Sequence, residues 1–187
     1  MKHRFALGVR GFTLIELMTT IAVAAVLFAI AVPSFKSFMR NVELTSTVNT
    51  MVASINAARG EAMKRGRRAY VMPTQSSGWA GGWIVFVDQG ETPNGSYDAG
   101  TDLLVQRQSA LPAYLNVPKD GATGTAKEAS PYILFNPSGY PIVKGGGFGA
   151  MQLTFQLDNA SGGDLRRIVI AKTGRVRICR AQTTCTE

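Results

Sequence analysis

Two stretches of this sequence place charge where a chemical reason is required. The first is "RGFTLIELMTT", in which Glu16 stands at the head of a segment that runs apolar from Ile21 through Val32. A charged side chain inside a bilayer costs about 2.5 kcal/mol or more, so such a group ordinarily has a partner and a task. The second is "KTGRVRICR", in which Gly174 turns the chain and Arg175 and Arg177 fall on one side of a strand by period two. Two guanidiniums about 7 Å apart suit successive phosphates of a nucleic-acid backbone. Lys172, Arg166, Arg167 and Arg180 extend the same basic patch, while Val176 and Ile178 are expected to face into the domain.

Other chemistries find few residues to use. The sole histidine is His3, ahead of the apolar segment, so the chain beyond it cannot run Ser-His or Cys-His catalysis or bind a metal through histidine. Cys179 and Cys185 have no further Cys or His to complete a zinc cluster. A local disulfide in an oxidising compartment is favoured over two cytosolic thiols. Asp88, Glu91, Asp98 and Asp102 lie among glycines in one loop, but their spacing matches no EF-hand, and a solvated hairpin is favoured over a calcium site. "KGGGFG" lacks the Gly-Lys-Ser/Thr of a phosphate-binding loop and reads as a flexible connection. No metal and no cofactor is expected.

The elements that must position these residues follow from periodicity. Leu44, Val48, Met51, Val52, Ile55, Ala58 and Ala62 recur on one helical face, with Glu43, Ser46, Asn49, Ser54 and Arg59 opposite. No strong stop precedes Gly66, so one helix is expected from Phe12 to Arg65, roughly 80 Å long. Its "KRGRR" end (Lys64, Arg65, Arg67, Arg68) reads as helix capping through the dipole. From Arg67 onwards "RRAYVMP", "GWIVFVD", "DLLVQRQ", "YILFNP", "MQLTFQLD", "RRIVIAKTG" and "RVRIC" read as strands, several alternating as a half-buried antiparallel sheet requires. The formal charge of +8 falls by three to +5 when Lys2, Arg4 and Arg10 are set aside, which keeps the head basic.

A secretory signal peptide ending in "AIA", or a plain membrane anchor, accounts for the apolar run but leaves Glu16 unexplained. The basic leader, Gly11, and the following "FTLIELM" resemble the class III signal of type IV pilins and type II secretion pseudopilins. That resemblance implies cleavage between Gly11 and Phe12 by a prepilin peptidase, N-methylation of Phe12, and neutralisation of an N-terminal amine by Glu16 during assembly. A buried carboxylate is tolerable when a positive group and hydrogen bonds compensate it. Pro33 matches the position where many of these helices bend or melt, since proline lacks the helical N–H.

"NAARGEAMKRG", "GWIVFVDQGETPNGSYDAGTDLLVQ", "ILFNPSGYP" and "IVIAKTGRVRIC" are similar to the FimT/GspH branch of that family. The implied fold is α+β and pilin-like: a long N-terminal helix packed on a small antiparallel β domain. The implied organisation is a cleaved leader (1–11), a helix (12–65) whose first half spans the membrane, and a β-rich head (66–187). The implied protein is non-enzymatic, a minor pilin that initiates or tips a type IV pilus, or alternatively the H-type pseudopilin of a type II secretion system. It would sit in the bacterial inner membrane by a single pass, with the head in the periplasm, and then in the filament beside other pilins or pseudopilins. The Gly-Arg-x-Arg tail resembles that of DNA-binding minor pilins, which implies Arg175 and Arg177 as contacts to double-stranded DNA without sequence preference.

Overall fold

The computed structural model describes residues 11–75, 78–90, 95–118, 122–128, 131–143, 145–158 and 165–180. Helix α1 (Leu14–Arg65) precedes strands β1 (Ala69–Pro73), β2 (Trp83–Val87), β3 (Leu103–Gln108), β4 (Leu115–Asn116), β5 (Ile133–Phe135), β6 (Pro141–Ile142), β7 (Met151–Leu157), β8 (Leu165–Ile170) and β9 (Val176–Arg180). All seven expected strands are present. The two-residue strands β4 and β6 were not expected, because so short a run shows no periodicity.

The chain divides into two units, Met1–Arg40 and Asn41–Glu187. In the first, the described side chains are exposed almost throughout, including Leu14, Ile21, Leu27 and Ile30. A helix apolar on every side suits a bilayer or a bundle of like helices, not an aqueous surface. Among the described residues α1 is the one helix long and apolar enough to cross a bilayer. It continues as α-helix through Pro33, so the missing N–H is accommodated within the helix.

In the second unit, α1 lays Leu44, Val48, Met51, Ile55, Ala58 and Ala62 on the β-sheets, each fully or almost fully buried. The first sheet has the order β3-β2-β1-β5-β6 and the second β4-β7-β8-β9, with every pairing antiparallel. Val71, Val85 and Ile133 from the first sheet share the core with Leu153, Phe155, Ile168 and Ile170 from the second. Trp83 meets Phe155 edge-on at 6.5 Å between ring centroids. The first sheet is covered on its other face as well. There the cross-strand partners Tyr70 and Phe86 stack at 5.1 Å, and Tyr97 and Tyr132 close over them. Burial on both faces explains why "WIVFV" in β2 does not alternate.

One polar residue reverses its expected side. Ser54, read as facing solvent, is fully buried. Its hydroxyl bonds to the Thr50 carbonyl (2.9 Å) and the Gln106 side-chain oxygen (3.1 Å), and accepts the Trp83 indole N–H at 2.9 Å. A serine can turn inward when its donors and acceptors are met, and here it links α1, β2 and β3.

Candidate functional site

The N-terminal signal is built on a helix start. The Thr13 backbone N–H donates to a Glu16 carboxylate oxygen at 2.9 Å, and its hydroxyl donates to the same oxygen at 2.7 Å. In return the Glu16 N–H donates to the Thr13 hydroxyl at 3.3 Å. Thr-x-x-Glu with reciprocal bonds is a capping box, which satisfies donors that a helix N-terminus otherwise leaves without partners. Glu16 therefore has a role within its own chain that the sequence reading had not assigned. Gly11 and Phe12 lie immediately ahead of the box, with Phe12 72% exposed. The basic residues Lys2, Arg4 and Arg10 lie outside the described residues.

The second group gathers at the turn between β8 and β9. The Ala171 N–H donates to the Arg175 carbonyl at 2.9 Å, and the Gly174 N–H donates to the Ala171 carbonyl at 2.8 Å. Arg59 of α1 fastens this turn to another. Its Nε donates to the Gly139 carbonyl (3.0 Å), one terminal nitrogen to the Gly174 carbonyl (3.1 Å), and the other to the Thr173 carbonyl (3.2 Å). Gly174 is at φ +79°, and a Cβ there would stand 2.6 Å from the Gly139 oxygen and 3.0 Å from the Arg59 guanidinium. Both the backbone conformation and the space call for glycine. The sequence reading put Arg59 on the solvated face and missed this clamp. Its position four residues after Ile55, at the margin of the apolar stripe, was the available signal.

Strand register sorts the predicted arginines. Ile168 pairs with Ile178, Ile170 with Val176 and Arg166 with Arg180, so these six share the core-side face. Val169 pairs with Arg177 and Arg167 with Cys179 on the other face, to which period two also assigns Arg175. Arg175, Arg177, Lys172 and Arg180 are exposed. Arg166 is buried and donates to the Leu165 carbonyl at 3.1 Å, and Arg167 is half-buried. Of the six, Arg177 and, by period two, Arg175 are exposed on one face, Arg180 is exposed on the opposite face, and Lys172 is exposed in the turn between the strands. Val176 packs on the core as expected, but Ile178 is 43% exposed. β9 is the outermost strand of its sheet.

The remaining candidates resolve locally. At the end of α1, Lys64 and Arg65 both pair with Glu61, and the Arg67 N–H closes the helix on the Ala62 carbonyl at 3.2 Å. Arg65's hydrogen bond holds the Glu61 carboxyl below the usual carboxylate range. The Arg67 guanidinium donates to the carbonyls of Gln89 (3.3 Å) and Gly90 (3.2 Å), so the cluster holds the helix end and the loop after β2. In that loop, Asp102 accepts from the Gln89 and Asp98 N–H groups at 3.0 and 2.8 Å, and Asp88 accepts from Gly90 at 3.1 Å. These carboxylates cap backbone donors, as a hairpin requires. Glu91 lies outside the described residues, and no metal-holding cluster is found among the described ones. The glycines of "KGGGFG" make a turn. The Val143 N–H donates to Gly147 (2.8 Å), Ile142 bridges to Phe148, and Gly145 and Gly146, both at positive φ, make the turn. Cys185 lies outside the described residues, while Cys179 is half-buried on β9.

Comparison with known proteins agrees with this architecture. Residues 47–174 match the model of the type II transport protein GspH family, and residues 8–32 match the prokaryotic N-terminal methylation motif. The pilin-like protein PilA1 of Thermus thermophilus is 29% identical over 171 residues, covering 90% of this chain and 97% of its own. The prepilin peptidase-dependent protein D of Escherichia coli K12 is 40% identical over 57 residues, 30% of this chain and 39% of its own. In structure, the type IV minor pilin FimU of Pseudomonas aeruginosa aligns with a TM-score of 0.57 at 18% identity, over 78% of this chain and 95% of its own. The minor pseudopilin EpsH of the Vibrio cholerae type 2 secretion system aligns at 0.53 and 12% identity, over 75% and 99%. With a helix-and-two-sheet fold of that kind, a methylation motif at its head and a family match across most of its length, the chain belongs to the GspH family of type IV pilin-like proteins.

Proposed function

We propose that this chain is a non-enzymatic minor subunit of a type IV pilus, acting in initiation or at the tip. The observation that carries the reading is the Thr13–Glu16 capping box standing between Gly11-Phe12 and an exposed apolar helix. Inserted by one pass in the inner membrane with its head in the periplasm, the chain is cut by a prepilin peptidase between Gly11 and Phe12, and Phe12 is then N-methylated. The box survives the cut, because the Thr13 N–H remains a peptide N–H. The new Phe12 amine then stands one residue from the group that Glu16 already holds. As the apolar helices bundle, Glu16 compensates the amine of a neighbouring subunit, and Pro33 is the point where α1 bends or melts. Glu16→Ala should leave leader cleavage intact and abolish incorporation into filaments, read by immunoblot of sheared filaments. Normal incorporation would overturn the mechanism.

A second reading, the H-type pseudopilin of a type II secretion system, is favoured by the family match over residues 47–174. Deleting the gene separates the two: loss of surface pili supports the first, and loss of protein secretion supports the second.

The exposed Lys172, Arg175 and Arg177 on an arginine-clamped hairpin support DNA binding as an additional role, through backbone phosphates. A Cys179–Cys185 bridge would close the chain after β9 and keep Arg180 near the hairpin. Binding of double-stranded DNA should fall steeply with salt and depend little on sequence. Arg175→Ala/Arg177→Ala in the full chain should abolish the mobility shift, and an unchanged affinity would exclude the hairpin.

A further inference from the structure

Beside the basic hairpin lies an aromatic pair that the phosphate reading does not use. Tyr140 and Phe148 are 42% and 58% exposed, and their ring centroids lie 5.1 Å apart at 48°. Large apolar rings are ordinarily drawn into a core, and the core of this domain is well supplied without them. Their setting is fixed. The Asn136 N–H donates to the Tyr140 carbonyl at 3.0 Å, the Tyr140 N–H donates to the Asn136 side chain at 2.9 Å, and Phe148 is bridged to Ile142. Gly139, next to Tyr140, is the residue that Arg59 ties to Thr173 and Gly174. The aromatic turn and the basic turn are therefore tied to one another through Arg59 of α1, beside an outermost strand of each sheet, β6 and β9.

The two turns and the strands that flank them carry charge of a single sign. Neither the stretch 131–157 nor the stretch 165–180 contains an Asp or Glu, while the latter carries six Lys and Arg residues. An apolar partner surface gains nothing from such a field, whereas a polyanion with flat apolar faces gains from both parts. Duplex DNA offers phosphates but keeps its bases stacked on one another. A single strand offers phosphates and free base faces together, and sequence-tolerant binding of single strands combines a cationic track with aromatic stacking. We propose that Tyr140 and Phe148 form a stacking platform for an unpaired nucleobase, with Lys172, Arg175 and Arg177 holding the adjoining phosphates, so that this corner of the head binds single-stranded DNA. The inference rests on the DNA-binding reading above and adds a preference to it.

The test measures fluorescence anisotropy of a short labelled oligothymidylate and of a duplex of equal length, against the full chain in uncharged detergent at fixed salt. Tyr140→Ala/Phe148→Ala should weaken oligothymidylate binding by about tenfold or more, the scale of lost base–aromatic stacking, and leave duplex binding unchanged. Tyr140→Leu/Phe148→Leu, which keeps apolar bulk and removes the rings, should show the same selective loss, with a thermal midpoint equal to that of the parent. Arg175→Ala/Arg177→Ala should weaken both ligands. If the aromatic variants bind oligothymidylate like the parent while the arginine variant loses both, the platform is overturned and DNA binding stands. Should the parent bind neither ligand, DNA binding fails and takes the platform with it. Loss of filament incorporation in the aromatic variants, with oligothymidylate affinity intact, would assign the pair to a neighbouring subunit and overturn the proposal.

Discussion

Helix α1 has two stretches that obey different rules. From Leu14 to Arg40 its large apolar side chains stand exposed on every side, whereas from Asn41 to Arg65 most of its apolar side chains, Leu44, Val48, Met51, Ile55, Ala58 and Ala62, form a buried stripe, with Val42 and Met63 left exposed beside it. Backbone geometry is common to both, so the difference lies in what each stretch is given to pack on. The later stretch finds its partners in its own chain, and the earlier one must find them in lipid or in other copies. Stability of the folded head should therefore be blind to one stretch and sensitive to the other. Ile55→Ala removes a fully buried side chain and should cost about 2–5 kcal/mol in denaturant unfolding of the head. Leu27→Ala, at a site 62% exposed, should leave that transition where it was. Equal losses from the two variants would break the division.

Polar residues sharpen the same contrast. Glu16 and Ser54 each stand among apolar neighbours, and each is satisfied, but by partners of opposite reach. Glu16 bonds to Thr13, three residues away, so its local order needs nothing outside the first turn. Ser54 bonds across the fold to Trp83 and Gln106. Ser54→Ala leaves the buried Trp83 indole N–H without this acceptor and should cost the head about 1–3 kcal/mol. Circular dichroism melts of the full chain in detergent would read it, and a shift no larger than that of Ser46→Ala, on the exposed side, would show that the bond contributes little.

This local-against-distant distinction also explains what the sequence made legible. Helix α1, seven strands and the methylation signal rest on periodicity or on contiguous motifs, which a linear reading can recover. Ser54 and Arg59 were read as solvated because their partners lie in β2, β3 and two distant turns, and the helix itself offers at most Arg59's place at the margin of the apolar stripe. The six basic residues proposed as one patch fall on more than one face of their hairpin. Period two orders residues within one strand; only the pairing of Arg166 with Arg180 and Val169 with Arg177 shows which arginines share a face. The aromatic pair Tyr140 and Phe148 escaped notice because "KGGGFG" reads as a linker until its turn is seen to close.

The smallest effect separates the two stretches by pH. Tyr70 stacks on Phe86 in the head, and burial pushes its phenol pKa up, outweighing the opposing pull of Arg68. A phenol whose folded pKa lies above its unfolded value of about 10 favours the folded state fully below that pH. As pH rises through the unfolded value, the unfolded chain ionises first, and the contribution is lost progressively until the folded value is passed. Tyr132 is shifted in the same direction, chiefly by burial, and adds to the slope. Tyr70→Phe keeps the stacked ring and removes the ionisation, so the head should lose less stability between about pH 9 and 11 than the parent does. The gain is bounded by the size of the shift and is reduced at neutral pH by the lost contact with Arg68, so parent and variant should cross as pH rises. Parallel pH profiles of the unfolding midpoint would place the alkaline sensitivity elsewhere in the head. A profile that moved with Leu27→Ala would place it in the apolar stretch, where no ionisable group lies between Glu16 and Lys36.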